Sequence, residues 1–344
     1  MVYHNKLGSQ GERNKRVVAI ASEIARQIGV AGLAGKVELA ARLSKTDLVT
    51  DMVGEFPELQ GIMGRYYAQH EGLDSDVACA IEDHYKPRFA SDELPRSLVG
   101  ACVALADKLE TLVGLFSIGE KPTGDKDPFG LRRQALGVIR MIIEVTRQLN
   151  IENLVDVAFT VLRTCLPAAT LIYPKEEMLD FFYDRLQGLC KDDGFTSQQV
   201  DSVLSLRPAS LSEIPARLAA VTAFANLPEA PALAAANKRV GNILKKVEGE
   251  VKAEVKTNLL QEPAEIALNE ALSKVKPEAD KLFESGDYTA SLQALAALKA
   301  PVDAFFDHVM VNVDDVALKN NRLGLLAILH QTMNRVADLS KLAS

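Results

Sequence analysis

The chain has 344 residues, 48% of them hydrophobic, and a formal net charge of −7 at pH 7. This composition is ordinary for a folded globular protein and argues against global disorder. No apolar run approaches the roughly 18–20 residues that span a bilayer, and the polar first residues lack the apolar core of a signal peptide. We therefore expect a cytoplasmic protein without a membrane partner. The acidic balance does not by itself favour nucleic-acid binding, which requires cations gathered on one face.

Apolar residues at spacings of three and four predict helices along almost the whole chain, beginning with a helix that ends before Gly29. Few segments show the alternation of a strand. We therefore predict an all-α fold. Its expected parts are a first helical domain at 1–150, a helical linker region at 151–231 that ends in several prolines, and a helical bundle at 232–344.

A degenerate metal-site pattern lies in the first domain, in the segments LSKTDL, EDHY and ALADKL. Their order resembles the HD-type phosphohydrolase superfamily, in which a His-Asp pair, a later His and a later Asp bind a metal that activates water. His84 and Asp107 match the later positions, but Ser44 and Lys45 stand where the His-Asp pair belongs, and Asp47 comes three residues late. Two ligands do not hold a catalytic metal, so we expect none here. We expect His84 and Asp107 to hydrogen-bond in a helical core, and Lys45 to pair with a carboxylate or to contact a nucleic-acid phosphate.

The segment PTGDKDPFGLRR is a second candidate. The preceding GEKPTGDK lacks the GK[ST] ending and the strand of a phosphate loop. Asp127 and Pro128 instead predict a capped helix start. Lys126, Arg132 and Arg133 then lie near a helix N-terminus, where anions are favoured. The alternative is that the arginines bridge acidic residues on neighbouring helices.

A third candidate is the segment from Ala236 to Lys252, which we predict to be one amphipathic helix with an apolar stripe from Val240 to Val251. Its other face carries Lys238, Arg239, Asn242, Lys245 and Lys246. A solvated face is the alternative, but the Asn242 amide suits a base-edge or ribose contact, which favours RNA.

Near the C-terminus, apolar residues between Phe305 and Met310 are typical of a packing face, and Arg322 could point to solvent or to RNA. We expect the four cysteines to be buried free thiols, because none has CxxC spacing. They are Cys79, Cys102, Cys165 and Cys190.

Taken together and in this order, six segments resemble the β-subunit of bacterial glycyl-tRNA synthetase. They are LSKTDLVTDMVGEFPELQGIMGRYYA, AIEDHYKPRFASDELP, ALADKLETLVGLFSIGEKPTGDKDPFGLRR, ANKRVGNILKK, PVDAFFDHVMV and NNRLGLL. The resemblance runs from about residue 2 to the end and is weakest between Asn150 and Pro231. It covers only the C-terminal half of the family's subunit, so the N-terminal half would be absent or would come from a separate chain.

The resemblance implies a tRNA-binding part of a glycine–tRNA ligase. In this family an α2β2 tetramer uses ATP and magnesium at the α-subunit, while the β-subunit mainly recognises tRNA. Its C-terminal half holds an HD-like domain and a helical anticodon-binding domain of the arginyl-tRNA synthetase type. The implied partners are glycine tRNA, the α-subunit and the N-terminal half of the β-subunit, with no DNA.

The resemblance also assigns site residues. It implies tRNA contacts for the polar residues of the third candidate and for Arg322, with no catalytic residue and no cofactor in this fragment. From their position at a helix start, Lys126, Arg132 and Arg133 are further candidates for contacting tRNA or for packing between subunits. Two alternative functions are a metal-dependent HD-type phosphohydrolase and a purely structural scaffold for the synthetase subunits.

Overall fold

A computed structural model describes residues 1–343, and helices joined by short loops make up most of them, which confirms the predicted all-α class. The described residues contain one small antiparallel sheet, in which β1 (Val2–His4) pairs with β2 (Gly8–Ser9). Contacts divide the chain into two compact units. The first holds Met1–Leu189 with Ala209–Ser212, and the second holds Cys190–Pro208 with the described residues from Glu213 onward.

Nine helices begin in the first unit, and the last of them crosses its boundary. They are α1 (Gln10–Ile28), α2 (Leu33–Leu43), α3 (Asp51–Glu55), α4 (Ile62–His70), α5 (Ser75–Asp83), α6 (Leu98–Ser117), α7 (Leu131–Glu144), α8 (Ile151–Cys165) and α9 (Lys175–Asp192). Short 3₁₀ turns lie at Thr46–Val49, Pro57–Leu59 and Ala168–Thr170.

Helix α6 is the centre of the first unit. Ser97 caps it, because its side chain accepts a hydrogen bond from the Gly100 N–H. Almost all residues of α6 are buried, and α1, α2, α5, α7 and α8 pack against it. The buried set includes Lys108 and Glu110. Since α6 is surrounded on all sides, any charged side chain on it needs a partner inside the unit.

Seven helices follow in the second unit. They are α10 (Ser197–Leu204), α11 (Ile214–Ala225), α12 (Ala230–Lys245), α13 (Pro263–Glu284), α14 (Tyr288–Ala294), α15 (Lys299–His308) and α16 (Val316–Met333). Short 3₁₀ turns lie at Leu211–Glu213, Thr257–Leu259, Leu295–Leu298 and Leu339–Leu342. Helix α12 packs on α15 and α16, and α13 packs on α14, α15 and α16.

Residues 151–231, predicted as a helical linker region, hold helices α8 to α11 and the first residues of α12. Two expectations about local structure need correction. Helix α12 ends at Lys245, and the following chain leaves helical geometry, with Gly249 at a φ of 89°. Helix α7 begins at Leu131, three residues later than Pro128, because Gly130 has a left-handed φ of 64°.

Within residues 1–343, no single helix is long and apolar enough to cross a membrane. The consecutive segments Leu211–Ala225 and Ala230–Lys245 meet the length and composition criterion only when counted together, and a bend of 111° separates them.

Candidate functional site

The degenerate HD pattern folds into a buried ion cluster around Asp107, at the middle of α6. Arg13 of α1 donates from Nη1 to the carboxylate at 3.0 Å, and Lys45 Nζ lies 3.4 Å from the same oxygen. Burial alone would raise the pKa of Asp107, but Arg13 and Lys45 hold it well below its usual range. Asp107 is therefore ionised at neutral pH, and the prediction that Lys45 pairs with a carboxylate is confirmed.

His84 lies beside this cluster, and both His84 and Asp107 hydrogen-bond in the helical core, as predicted. His84 Nδ1 lies 2.6 Å from the carbonyl oxygen of Ile81, which requires that nitrogen to carry the proton. Its Nε2 is buried without a hydrogen-bond partner among the described residues. Burial, reinforced by the positive charge of Lys45, lowers the pKa of His84 well below its ordinary value. The ring is neutral at pH 7.

The other two positions of the pattern stabilise the backbone. Ser44 donates from Oγ to the carbonyl of Ala41 at 2.8 Å. Asp47 accepts hydrogen bonds from the backbone N–H groups of Gly61 and Gly64, at 2.6 and 3.1 Å. Gly64 is required for this approach, because a Cβ there would lie 2.6 Å from a carbon of the Ile81 side chain. The other carboxylate oxygen of Asp47, Oδ1, is buried without a hydrogen-bond partner among the described residues.

These residues do not fit a catalytic metal. The side chains closest to Asp107 are the cations Arg13 and Lys45, which repel a divalent ion. In the part of the chain that the structure describes, no group of three or more His, Cys, Asp and Glu side chains is arranged to hold a metal ion. We therefore derive no metal-dependent step for this unit.

A cavity of about 480 Å³ opens above the cluster. Six of the side chains that line it are cationic and three are acidic. The cations are Arg13, Lys45, Lys86, Arg88, Lys108 and Arg133, and the acids are Glu58, Glu82 and Asp107. The structure thus brings the degenerate HD pattern and the PTGDKDPFGLRR segment together at one cavity, through Arg133.

The PTGDKDPFGLRR segment forms a closed loop before α7. Asp127 accepts hydrogen bonds from the N–H groups of Leu131 and Arg132, at 2.8 and 2.9 Å, so it caps α7 from outside the helix. The Arg132 guanidinium donates to the carbonyl of Gly124 at 2.5 Å, which occupies that side chain within the loop. Lys126 and Arg133 are exposed. Neither arginine forms an ion pair within residues 1–343, so the alternative of bridges to acidic helices is wrong.

The basic face of α12 is exposed as predicted, but its residues divide between two faces. Arg239 and Lys246 line a groove of about 1050 Å³ together with residues of α15, α16 and the loop between them. Lys238, Asn242 and Lys245 lie on the neighbouring exposed face and do not line the groove. The groove is therefore the concave part of this basic surface.

The groove combines cations with aromatic and amide groups. The guanidinium carbon of Arg239 lies 4.2 Å from the centre of the Phe306 ring, a cation–π contact. Lys319 and Asn320 of α16 line the opposite side. Met310, which we expected in the core, is 73% exposed at the groove. Such a surface offers phosphate contacts, amide groups and apolar surface for unstacked bases.

Arg322 does not belong to this surface, and the expected RNA contact has to be corrected. Its side chain is buried, its Nε pairs with Glu265 of α13, and its Nη1 donates to the carbonyl of Met310 at 2.6 Å. The guanidinium links α13 and α16 and supports the loop that carries Met310.

Comparison with known proteins gives the family. The family model of the glycyl-tRNA synthetase beta subunit matches residues 1–205, and that of the DALR anticodon binding domain matches residues 233–341. The chain belongs to the glycyl-tRNA synthetase β-subunit family. The match to the β-subunit model contains the cavity around Asp107, and the match to the anticodon-binding model contains the groove of α12, α15 and α16.

Individual relatives agree with this assignment. The glycine–tRNA ligase beta subunits of Delftia acidovorans and Janthinobacterium sp. are each 63% identical over 344 residues, covering 100% of this chain and 48% of each relative. That of Thiobacillus denitrificans is 62% identical over 346 residues, with the same coverage. The chain thus spans about half the length of the curated relatives that it matches.

Several residues of the buried ion cluster beside the cavity were not predicted from the sequence. Arg13 and Arg16 of α1 both donate to Glu110 of α6, at 2.8 and 2.9 Å, and all three are buried. A signal existed, because Glu110 follows Asp107 and Lys108 in a helix whose other residues are mostly apolar, and Arg16 lies on the same helix face as Ile20. A carboxylate in such a position requires a buried cation.

Proposed function

We propose that this chain binds glycine tRNA as the C-terminal part of a glycyl-tRNA synthetase β-subunit, and that the groove of the second unit contacts the anticodon arm. The supporting observation is that Arg239 and Lys246 share a groove with Phe306 and Lys319, within the segment that matches an anticodon-binding domain. Phosphate contacts would give affinity and register, while Asn320 and the aromatic ring would contact bases.

Two features support this proposal over a general electrostatic attraction. The chain is acidic overall, with a net charge of −7, whereas the groove is lined by three cations, Arg239, Lys246 and Lys319, against two carboxylates, Glu248 and Asp307, so the positive excess there is local. The groove is also concave and carries apolar surface at Met310 and Val316, which are 73% and 67% exposed. Exposed apolar groups beside cations suit unstacked bases better than they suit water.

The proposal extends to the partners and the reaction. Glycine would be activated with ATP and magnesium on the α-subunit, and this chain would position the tRNA for aminoacylation with the α-subunit and the N-terminal half of the β-subunit in an α2β2 assembly. This role places the protein in the cytoplasm. The proposed partnership with other chains is supported by the relatives, which are beta subunits about twice as long as this chain.

Titration of the chain with transcribed glycine tRNA at several salt concentrations tests the groove. The double variant Arg239→Ala/Lys246→Ala should weaken binding about a hundredfold or more, since each of the two charged contacts contributes about 1.5 kcal/mol or more. It should also reduce the slope of log K against log salt by about 1.4, or about 0.7 for each contact to a single strand. Lys274→Ala, an exposed lysine of α13, is the matched control and should bind as wild type.

Nuclease footprinting on the same tRNA locates the contact. We expect protection of the anticodon arm by wild type and loss of that protection in the double variant. Equal affinity and equal salt slope in the double variant and in Lys274→Ala would remove the groove from tRNA recognition.

A further inference from the structure

Two cations of the first unit converge on a single carboxylate, and a third lies beside it without a carboxylate partner of its own. Arg13 Nη1 and Lys45 Nζ lie 3.0 and 3.4 Å from Oδ1 of Asp107. The third cation, Lys108, follows Asp107 on α6. Its ammonium donates to the carbonyl of Lys86 at 3.0 Å and contacts no carboxylate within residues 1–343. Local positive charge therefore exceeds the negative charge that contacts it.

The neighbouring carboxylates do not remove this excess. Glu110 accepts from both Arg13 and Arg16, so it balances only one of two guanidinium groups. Asp47 accepts from two backbone N–H groups, and Asp92 accepts from an arginine at the cavity rim, so both act on the lysines only through space. Four largely buried cations, Arg13, Arg16, Lys45 and Lys108, thus share two carboxylates, and Lys108 contacts neither of them.

Such an excess is unfavourable in an interior that water reaches poorly. Burial lowers the pKa of Lys45 and of Lys108 to about 8, and neighbouring cations add to the effect. At pH 7 both side chains still carry their proton for most of the time. A ligand that brings negative charge into the cavity would remove the repulsion and restore the ordinary pKa of both lysines.

The rest of the cavity wall provides donors and rings. The Tyr85 hydroxyl is buried without a hydrogen-bond partner among the described residues, and burial raises the pKa of Tyr85, so the hydroxyl keeps its proton to donate. Arg133 stands at the rim with no ion pair in the described chain, and Phe129 beside it is 42% exposed. The cavity, at about 480 Å³, has room for a nucleotide-sized group.

We propose that this cavity binds the phosphate group of a nucleotide, held by Lys45 and Lys108 inside and by Arg133 at the rim, and that the exposed ring of Phe129 faces the attached nucleoside. Two ammonium groups and a guanidinium match the several acceptor oxygens of a phosphate. The phosphate could belong to a free nucleotide or to RNA, which offer the same chemistry. The inference does not require the proposed anticodon contact in the second unit.

Calorimetric titration of the full chain with inorganic phosphate, at constant ionic strength and pH 7, tests the site. Wild type should bind phosphate. Lys45→Gln and Lys108→Gln should each weaken binding about tenfold or more, the effect of losing one charged hydrogen bond. Lys15→Gln, an exposed lysine on α1 outside the cavity, should leave the affinity unchanged.

Two further ligands distinguish the sources of phosphate. If adenosine monophosphate binds wild type more tightly than inorganic phosphate does, and Lys108→Gln abolishes this difference, the site accepts free nucleotides. If the two ligands bind wild type equally and Lys108→Gln weakens the binding of glycine tRNA, the site accepts an RNA phosphate. Either result supports the cavity, and neither uses the Arg239 and Lys246 variants that test the groove.

The proposal fails if wild type shows no heat of binding with phosphate, or if both lysine variants bind it as Lys15→Gln does. Circular dichroism should show wild-type helix content for each variant. If Lys108→Gln does not fold, Lys45→Gln and Arg133→Gln decide the matter, since Arg133 is exposed and its loss leaves the core intact. Unchanged phosphate affinity in both of these would then overturn the site.

Discussion

The two units hold buried charge in different ways. In the second unit, Arg322 and Glu265 form a matched pair, one cation to one carboxylate, while the cations proposed to meet RNA are exposed. In the first unit, cations outnumber the carboxylates around Asp107 and face a cavity. A balanced pair neutralises its own charge inside the fold, whereas the unbalanced cluster leaves positive charge for a ligand to neutralise. The variants below test this difference.

The largest expected effect is in the balanced pair. Glu265→Ala should lower the free energy of unfolding of the second unit by about 3–5 kcal/mol, because it leaves the buried guanidinium of Arg322 without a carboxylate. Arg322→Ala should cost a similar amount for the reciprocal reason. Denaturant unfolding followed by circular dichroism measures both. Asp303→Ala, which breaks an exposed pair with Lys299 on α15, is the control and should change little.

In the first unit, removing the carboxylate should lower the free energy of unfolding much more than removing a neighbouring cation. Asp107→Asn should cost about 3–5 kcal/mol, since Arg13 and Lys45 then lose their shared carboxylate. Lys108→Gln should cost about 1 kcal/mol or less, because the loss of one backbone hydrogen bond is offset by relief of repulsion. The same unfolding measurement applies. Equal losses in the two variants would contradict the excess of positive charge.

A smaller effect should appear on acidification. The pKa of His84 is depressed by burial, so the unfolded chain takes up a proton near pH 6.5 that the folded chain does not. Stability should therefore fall as the pH drops below about 6.5, by up to about 1.4 kcal/mol per pH unit from this group. His84→Gln should lose this part of the slope, while His70→Gln, at an exposed position of α4, should keep it. If stability falls with pH equally in both variants, groups other than His84 cause the loss of stability in acid.

The smallest effect concerns thiol reactivity. All four cysteines are free, as predicted, but Cys165 is exposed, which corrects the expectation of burial at that position. Burial raises the pKa of Cys102 to about 12, and burial with Asp193 nearby raises that of Cys190 to about 11. A thiol reagent at pH 8 should label Cys165 first and both buried thiols only on unfolding. Cys165→Ser should abolish the fast phase, and a fast phase that persists would contradict this assignment.

Much of the fold followed from local sequence signals. Ser97 begins α6, and Gly29 ends α1, because a cap and a left-handed glycine act within one turn of the helix. The start of α7 was placed too early because Asp127 and Pro128 look like a cap followed by a first helical residue. The left-handed turn at Gly130 between them and the helix depends on hydrogen bonds of the whole loop.

The candidate site was less predictable, since its partners are distant in sequence. Arg322 was expected to contact RNA because nothing near it shows that Glu265, 57 residues away, pairs with it. The exposure of Arg239 and Lys246 did follow from helical periodicity. The sequence did not show that Arg239 and Lys246 line a groove while Lys238 and Lys245 do not, because part of the groove is formed by the loop after α15, which is distant in sequence.

The loop before α7 has a consequence for the speed of recognition. Asp127 holds two N–H groups of α7, Arg132 reaches back to Gly124, and Thr123 and Lys126 exchange backbone hydrogen bonds of 3.1 and 2.9 Å. A segment already tied at three places loses little conformational entropy when a ligand docks on it. Lys126 and Arg133 are therefore displayed on a pre-organised frame, and an anion that meets them binds without waiting for the loop to order.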